Sequence, residues 1–170
     1  MFNRTRLRFR DMKTIKMLIA GADEQAHGSG EDKPGAEHYL LSAFNLSDGS
    51  ARRVFERSGA DPDKFRDAIE EQYRDALSSV GIDDDAIDAD AELITSTKVL
   101  HNSKPSGQAV MKALYALKQE DKDRPLLGAH VVAVVAGMEY GVAVRALRAM
   151  GVDQACLANA VREELESFHS

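Results

Sequence analysis

Apolar residues recur at helical spacing along almost the whole chain. Leu40, Ala43 and Phe44, for example, lie at positions i, i+3 and i+4, which is the spacing of one helix face. No convincing strand-length alternation of apolar and polar residues interrupts this pattern. The pattern therefore predicts an all-α protein.

Glycine, proline and aspartate divide the apolar pattern into separate helices. Gly59 and Gly151 follow helical runs, at the position where a left-handed residue commonly closes a helix. Asp61 and Asp153 then lie where a side chain caps the next helix. These signals predict the following helices: 11–27, 36 to the Ser-Asp-Gly sequence at 47–49, 50–57, 61 to about 75, 105–120, 129–138, 141–150 and 153 to about 168.

The second half of the chain repeats the first. Placing His38 on His130, 92 residues later, needs no gap over more than thirty residues. The same shift superposes other helix stops, caps and charged residues: Gly59 on Gly151, Asp61 on Asp153, and Arg53 on Arg145. Because stops, caps and core positions are preserved together, the repeat indicates an internal duplication.

The duplication predicts one globular domain built from two pseudosymmetric four-helix repeats. We place repeat one at about 11–75, an acidic connector at about 76–104, and repeat two at about 105–168. The segment 129–138, Ala-His-Val-Val-Ala-Val-Val-Ala-Gly-Met, has too few polar side chains for a solvated face. We expect this helix to be buried on nearly all sides, at the contact between the repeats.

Composition narrows the class of protein. A chain of 170 residues with 44% hydrophobic and 29% charged residues is typical of one globular domain. The net charge of −6 argues against general nucleic-acid binding. We expect a cytoplasmic protein, because no apolar run is long enough to span a membrane, no signal sequence is evident, and the single cysteine, Cys156, forms no internal disulfide.

Charge is distributed unevenly along the chain. A basic cluster lies near the start: Arg4, Arg6, Arg8, Arg10, Lys13 and Lys16. An acidic cluster lies in the connector: Asp83, Asp84, Asp85, Asp88, Asp90 and Glu92. One interpretation is a solvated helix face and a solvated linker. The other is that the basic segment docks on an acidic partner or folds against the chain's own acidic stretch.

The sequence contains no constellation of nucleophile, base and orienting group, so we expect no enzyme activity. The histidines lack metal-ligand spacing, and we predict neither a metal nor a cofactor. The repeated His38 and His130 are better explained as packed, hydrogen-bonded side chains. The repeated Arg53 and Arg145 either form an anion-binding pair or pair with neighbouring carboxylates.

Three segments resemble the Clp N-terminal domain, the double repeat at the front of ClpA- and ClpC-type unfoldases: the opening Met1, Phe2 and Arg4, the block 35–41 (Gly-Ala-Glu-His-Tyr-Leu-Leu), and 141–153. The resemblance implies a platform for adaptors and client segments, at which related domains also receive cyclic peptides. It marks Phe2 and Glu37 as binding residues. No G-x-x-x-x-G-K-[ST] motif is present, so we expect a free-standing recognition domain without ATPase modules.

The resemblance also implies two unequal sites. In the ClpC branch, a glutamate in each half helps to bind phosphorylated arginine, and Glu37 matches the first of these. Ala129 stands at the second position and offers no carboxylate to a guanidinium. The threonine that precedes each glutamate is replaced by Ala36 and Gly128, which argues against phosphoarginine binding in either half.

We retain two alternative functions. One is sequestration of small, cyclic-peptide-like ligands by the pseudosymmetric groove. The other is a nucleic-acid regulator in which the glycine-separated helix pairs serve as helix-turn-helix elements, with the arginine-rich start as an arm. The acidic balance of the chain disfavours the second alternative.

Overall fold

The computed structural model describes residues 2–79 and 103–168, with backbone alone at residues 2 and 3. Eight α-helices are present in these ranges: α1 (Phe2–Gly28), α2 (Ala36–Phe44), α3 (Ser50–Arg57), α4 (Phe65–Ser79), α5 (Pro105–Glu120), α6 (Gly128–Ala136), α7 (Val142–Ala149) and α8 (Gln154–Ser167). A short 3-10 helix, Pro62–Lys64, leads into α4. Neither range contains a strand, so the predicted all-α class is confirmed.

Helix α1 begins nine residues earlier than the predicted start at Asp11, because it runs from Phe2. Its first turns carry few apolar residues, which is why periodicity gave no signal there. Arginine is nevertheless a good helix former, and Leu7 is partly buried. At the connector, α4 continues to Ser79. The acidic cluster at 83–92 lies outside the described residues.

The sequence repeat corresponds to repeated local structure. Helices α2 and α6 each have nine residues, and α3 and α7 each have eight. Gly59 and Gly151 follow α3 and α7 with φ of 77° and 72°, in the left-handed region that glycine adopts at least cost. Asp61 accepts a hydrogen bond from the Asp63 amide at 3.0 Å, and Asp153 from the Ala155 amide at 2.8 Å. Both aspartates therefore cap the next helix, as predicted.

The two repeats pack reciprocally around a central helix pair. Helix α2 packs against α6, and every one of the nine residues of α2 is buried. Helix α3 of the first repeat packs against α8 of the second, while α4 of the first packs against α7 of the second. The buried apolar residues of both repeats therefore form one continuous core.

Helix α6 lies so close to the first repeat that its amino end is capped from there. The Gly128 amide donates to the Asp48 carboxylate at 3.2 Å, and the Ala129 amide donates to Ser50 Oγ at 2.8 Å. A Cβ atom at Gly128 would stand 3.1 Å from both the Ala43 carbonyl oxygen and the Ala51 Cβ, which is tighter than most contacts. Two amide groups at the start of this helix are thus satisfied across the repeat boundary.

The reverse contact exists at α2, where the Ala36 amide donates to Ser106 Oγ of α5 at 3.2 Å. On α6, Val131, Val132 and Val135 are fully buried, while Ala133 and Val134 are partly buried. The prediction that this helix lies between the repeats is therefore confirmed, although it ends at Ala136 rather than at residue 138.

A charge in this central pair should destabilise the whole domain. Val132→Asp places a carboxylate at a fully buried position with no partner prepared for it, and we expect a loss of more than about 3 kcal/mol in the free energy of unfolding. Chemical denaturation followed by circular dichroism measures this change. Ala158→Asp, at an exposed position of α8, should cost less than about 1 kcal/mol. Equal losses in the two variants would contradict the placement of α6.

Candidate functional site

A groove of about 1100 Å³ separates α1 from α5. Both helices pack against α2 and make few contacts with each other, which leaves open space between them. The groove follows residues 4–15 of α1 and 111–122, which cover most of α5 and the turn after it. Because helices rise about 1.5 Å per residue, each wall is roughly 17 Å long.

The floor of the groove is apolar. Five side chains form it: Met12 and Ile15 from α1, Met111 and Leu114 from α5, and Leu126 from the loop before α6. Met12 is 53% exposed, and Tyr115 at the groove edge is 68% exposed. Methionine side chains are flexible and polarizable, so such a floor suits apolar groups of varied shape.

The rim of the groove is basic. It carries five cations, Arg4, Arg8, Lys112, Lys118 and Lys122, and the single carboxylate of Asp11. Lys118 pairs with Asp11 at 2.8 Å, and Arg4 pairs with Asp123 at 3.1 Å. For the other three, no ion pair or side-chain hydrogen bond forms with the parts of the chain that the structure describes. The groove therefore concentrates positive charge on a protein whose net charge is −6.

Asp11 fixes the two walls of the groove relative to each other. The residue is 6% exposed. One oxygen accepts a hydrogen bond from the Leu126 amide at 2.8 Å, and the other lies 2.8 Å from Lys118 Nζ. Asp11 thus connects α1 both to α5 and to the loop before α6. The contact is buried enough that solvent screens it only weakly.

Glu37 lies outside the groove, within the core. The residue is 2% exposed, and its carboxylate accepts a hydrogen bond from the Tyr73 hydroxyl at 2.5 Å. Burial and this hydrogen bond raise the pKa of Tyr73, so the hydroxyl stays protonated and continues to donate. Glu37 therefore ties α4 to α2 in this conformation.

His38 and His130 perform the same local task in the two repeats. His38 Nδ1 accepts a hydrogen bond from the Gly35 amide at 3.0 Å, and His130 Nδ1 accepts one from the Leu127 amide, also at 3.0 Å. Each histidine is at the third position of its helix, and its side chain reaches back to the amide of the residue that precedes the helix, as glutamate or glutamine does in a capping box. Burial lowers the pKa of both histidines, which keeps Nδ1 available as an acceptor.

The repeated arginines have different surroundings. Arg53 donates to Glu164 at 2.6 Å, and Arg57 donates to the other oxygen of Glu164 at 3.1 Å. Glu164 is 1% exposed and belongs to α8, in the opposite repeat. The residue equivalent to Glu164 in the first repeat is Gln72. Arg145 is exposed and, within the described residues, has no carboxylate partner.

The comparison with family models decides the identity of this arrangement. The model described as the Clp repeat (R) N-terminal domain matches residues 13–98, just over half of the chain. The chain belongs to the Clp N-terminal domain family. Domains of this family are non-catalytic protein-interaction modules of Clp systems.

A solved structure supports the Clp N-terminal domain fold over nearly the whole chain. The crystal structure of the N-terminal domain of the caseinolytic protease associated chaperone ClpD from Arabidopsis thaliana matches with a TM-score of 0.55 and 20% sequence identity. The match covers 92% of each chain. A comparison with curated proteins gave no match.

Of the four predicted partner-binding residues of this Clp N-terminal domain, the structure describes the side chains of Glu37, Arg53 and Arg145, and these three do not form one site. Phe2 begins α1, and its side chain lies outside the described part of the structure. Glu37 and Arg53 are engaged in internal contacts, while Arg145 lies on the surface. The sequence did not locate this groove, because Met12 and Met111 are almost 100 residues apart and methionines at helical spacing more often lie in a core than along an adaptable groove. The basic residues of α1, which could dock on an acidic partner, were a further signal for it.

Cys156 is exposed, and its sulfur lies 3.7 Å from the Asp153 carboxylate. Within residues 2–79 and 103–168, no group of three or more His, Cys, Asp and Glu side chains is arranged to hold a metal ion. Over the same ranges, no helix is both long and apolar enough to cross a membrane.

The buried capping histidines make stability depend on pH. Because the folded-state pKa values lie below the ordinary value, unfolding takes up protons when the pH falls through about 6.5, and stability is lost there. We expect the melting temperature to fall between pH 7.5 and 5.5. In His38→Gln/His130→Gln, glutamine can still accept the capping bond but does not titrate, so this fall should shrink.

The matched control is His27→Gln on the exposed face of α1, which should retain the wild-type pH response. Charges near His38 are Glu37, Glu31, Lys104 and Arg66, and they are unchanged in all variants. A double variant that loses as much stability as the wild type on acidification would show that other groups carry the pH dependence.

The ion pairs of Glu164 should stabilise the contact between the repeats. Gln72, at the equivalent position of the first repeat, should not contribute in this way. Glu164→Ala leaves Arg53 and Arg57 without their carboxylate, but both arginine side chains are about two-fifths exposed and can rehydrate. We therefore expect a loss of about 1–3 kcal/mol. Gln72→Ala should cost less than about 1 kcal/mol. Denaturant titration compares the two variants, and a larger loss for Gln72→Ala would contradict this account.

Proposed function

We propose that this protein is a recognition module that binds segments of adaptor or client proteins of a Clp unfoldase-protease system in the groove between α1 and α5. The observation that carries the proposal is the groove itself. It combines five apolar floor residues with a basic rim, and two long helices, α1 and α5, form its walls.

The dimensions of the groove favour a polypeptide segment over a small metabolite. Pockets for small molecules commonly measure about 300–1,000 Å³ and enclose most of their ligand. This groove, at about 1100 Å³, lies just above that range. An amphipathic helix laid into an apolar groove is a recurring mode of peptide recognition. A cyclic peptide with apolar side chains would use the same floor, so sequestration of such ligands remains a second candidate.

The predicted site residues contribute unequally to this proposal. Phe2 starts the helix that forms one wall and remains a proposed contact for partners. Glu37 is buried beneath Tyr73, so phosphoarginine recognition at this carboxylate would first require the Tyr73 contact to break. Arg53 is committed to Glu164. We therefore assign partner binding to the groove rather than to these repeated positions.

The helix-turn-helix alternative receives less support from the packing. The second helix of such an element must be free to enter the major groove of DNA. Here α3 packs between α6 and α8, and α7 packs against α4. We further propose that the protein acts in the cytoplasm and has no catalytic activity of its own.

Site-specific photocrosslinking tests the proposed function. A benzophenone amino acid replaces Tyr115, which lies at the groove edge, or Tyr140, which is 83% exposed but lies away from the groove. After irradiation in native lysate, we expect the Tyr115 variant to form discrete adducts that mass spectrometry identifies as Clp unfoldase subunits, adaptors or protease clients. The Tyr140 variant should not form the same adducts. Identical adducts from both positions, or none at Tyr115, would overturn the proposal.

A further inference from the structure

We propose that the groove selects acidic amphipathic helices, in which a stripe of apolar residues is flanked on both sides by carboxylates. The inference rests on the proposed function and adds the chemistry of the bound segment. It depends on which rim charges are already neutralised, on their distribution between the two walls, and on the length of the apolar floor.

Part of the positive charge on the groove rim is already neutralised within the protein. Lys118 and Arg4 are compensated by Asp11 and Asp123. Arg8, Lys112 and Lys122 line the groove without an ion pair in the described parts of the chain. Cations beside a low-dielectric apolar floor attract an incoming anion more strongly than cations on an open surface.

These three cations are distributed over both walls of the groove. Arg8 lies on α1. On the opposite wall, Lys112 lies near the start of the part of α5 that lines the groove, and Lys122 lies just beyond the end of α5. The uncompensated charge therefore flanks the floor on both sides. A ligand with carboxylates on one side of its apolar stripe would satisfy one wall, while a ligand with carboxylates on both sides would satisfy both.

The length of the groove suits a short bound helix. Walls of roughly 17 Å correspond to about three turns, or about eleven residues, of a bound helix. The apolar floor residues Met12, Ile15, Met111 and Leu114 lie over two facing stretches of helix. Apolar side chains spaced i, i+4, i+7 on the ligand would all reach this floor.

The apolar floor also separates this occupant from a nucleic acid. A polyanionic backbone would satisfy Arg8, Lys112 and Lys122, which have no ion pair within residues 2–79 and 103–168, but would leave the methionines and Ile15 in contact with water. Phosphate binding alone depends on many cations along an extended track. The combination of few cations and a wide apolar floor therefore favours an acidic peptide.

Three synthetic peptides test the inference. Each is a blocked, fluorescein-labelled 14-residue helix with leucines at the same i, i+4, i+7 positions, and the flanking positions are all Glu, all Gln or all Lys. Fluorescence anisotropy with the full chain gives Kd at 50 and 300 mM NaCl. At 50 mM we expect the Glu peptide to bind about tenfold tighter than the Gln peptide, and the Lys peptide weakest. The advantage of Glu should shrink at 300 mM as salt screens the rim.

Charge reversal places the preference at the groove. In Arg8→Glu/Lys112→Glu, we expect the Glu peptide to lose at least tenfold in affinity and the Lys peptide to gain. The matched control is Lys13→Glu/Lys64→Glu, which reverses one exposed charge on α1 and one on the 3-10 helix, both outside the groove lining. The control should keep the wild-type order of the three peptides.

The outcomes distinguish this inference from the proposed function. If all three peptides bind equally and groove variants weaken them, the recognition function stands and the acidic selectivity is wrong. If none binds, or if binding ignores the groove variants, both are wrong. Tighter binding of a labelled single-stranded oligonucleotide than of the Glu peptide would assign the cations to nucleic acid.

A final variant addresses the chain's own acidic segment. It replaces Asp83, Asp84, Asp85, Asp88, Asp90 and Glu92 by their amides. An unchanged Kd for the Glu peptide supports a partner as the occupant. A tenfold tighter Kd would identify this segment as a competing occupant and overturn the assignment to a partner.

Discussion

The complete burial of α2 is the constraint on which the rest of this structure depends. All nine residues of α2 are inaccessible or nearly so, including the polar Glu37, His38 and Ser42. Each of these side chains must find a partner, because an unpaired buried polar group is costly. Glu37 accepts from Tyr73 of α4, His38 accepts from the Gly35 amide through Nδ1 alone, and Ser42 donates to the Leu18 carbonyl of α1 at 2.9 Å. The polar residues of α2 therefore position α1 and α4.

The functional surface follows from the same constraint. Because α1 and α5 both pack on α2, they line the two sides of a groove instead of packing on each other. Asp11 then holds the two walls at a fixed spacing through Lys118 and the Leu126 amide. A preorganised groove loses less conformational entropy when a ligand binds, which suits a module that recognises segments of other proteins.

The sequence predicted the helices and the central position of α6 well, but it predicted individual side-chain contacts between the repeats poorly. The bounds of α3 and α5 were predicted to the residue, because Gly49 and Gly59 flank the first and Pro105 begins the second. The start of α1 was missed, since its first two turns have no continuous apolar face. The Arg53 to Glu164 ion pair could not be foreseen, because it joins residues 111 positions apart. The groove could not be located for the same reason: its floor comes from two helices far apart in the chain, and periodicity reports only which residues are apolar.

The central claim is that the two repeats share one core through α2 and α6 and do not fold independently. Native-state amide hydrogen exchange tests it most directly, with the amides of residues 40–44 in α2 and 131–135 in α6 as probes. The account predicts that both groups exchange only through global unfolding, with the same free energy and the same dependence on denaturant. Exchange of one group at a distinctly lower free energy than the other would show that the repeats open separately and would contradict the account.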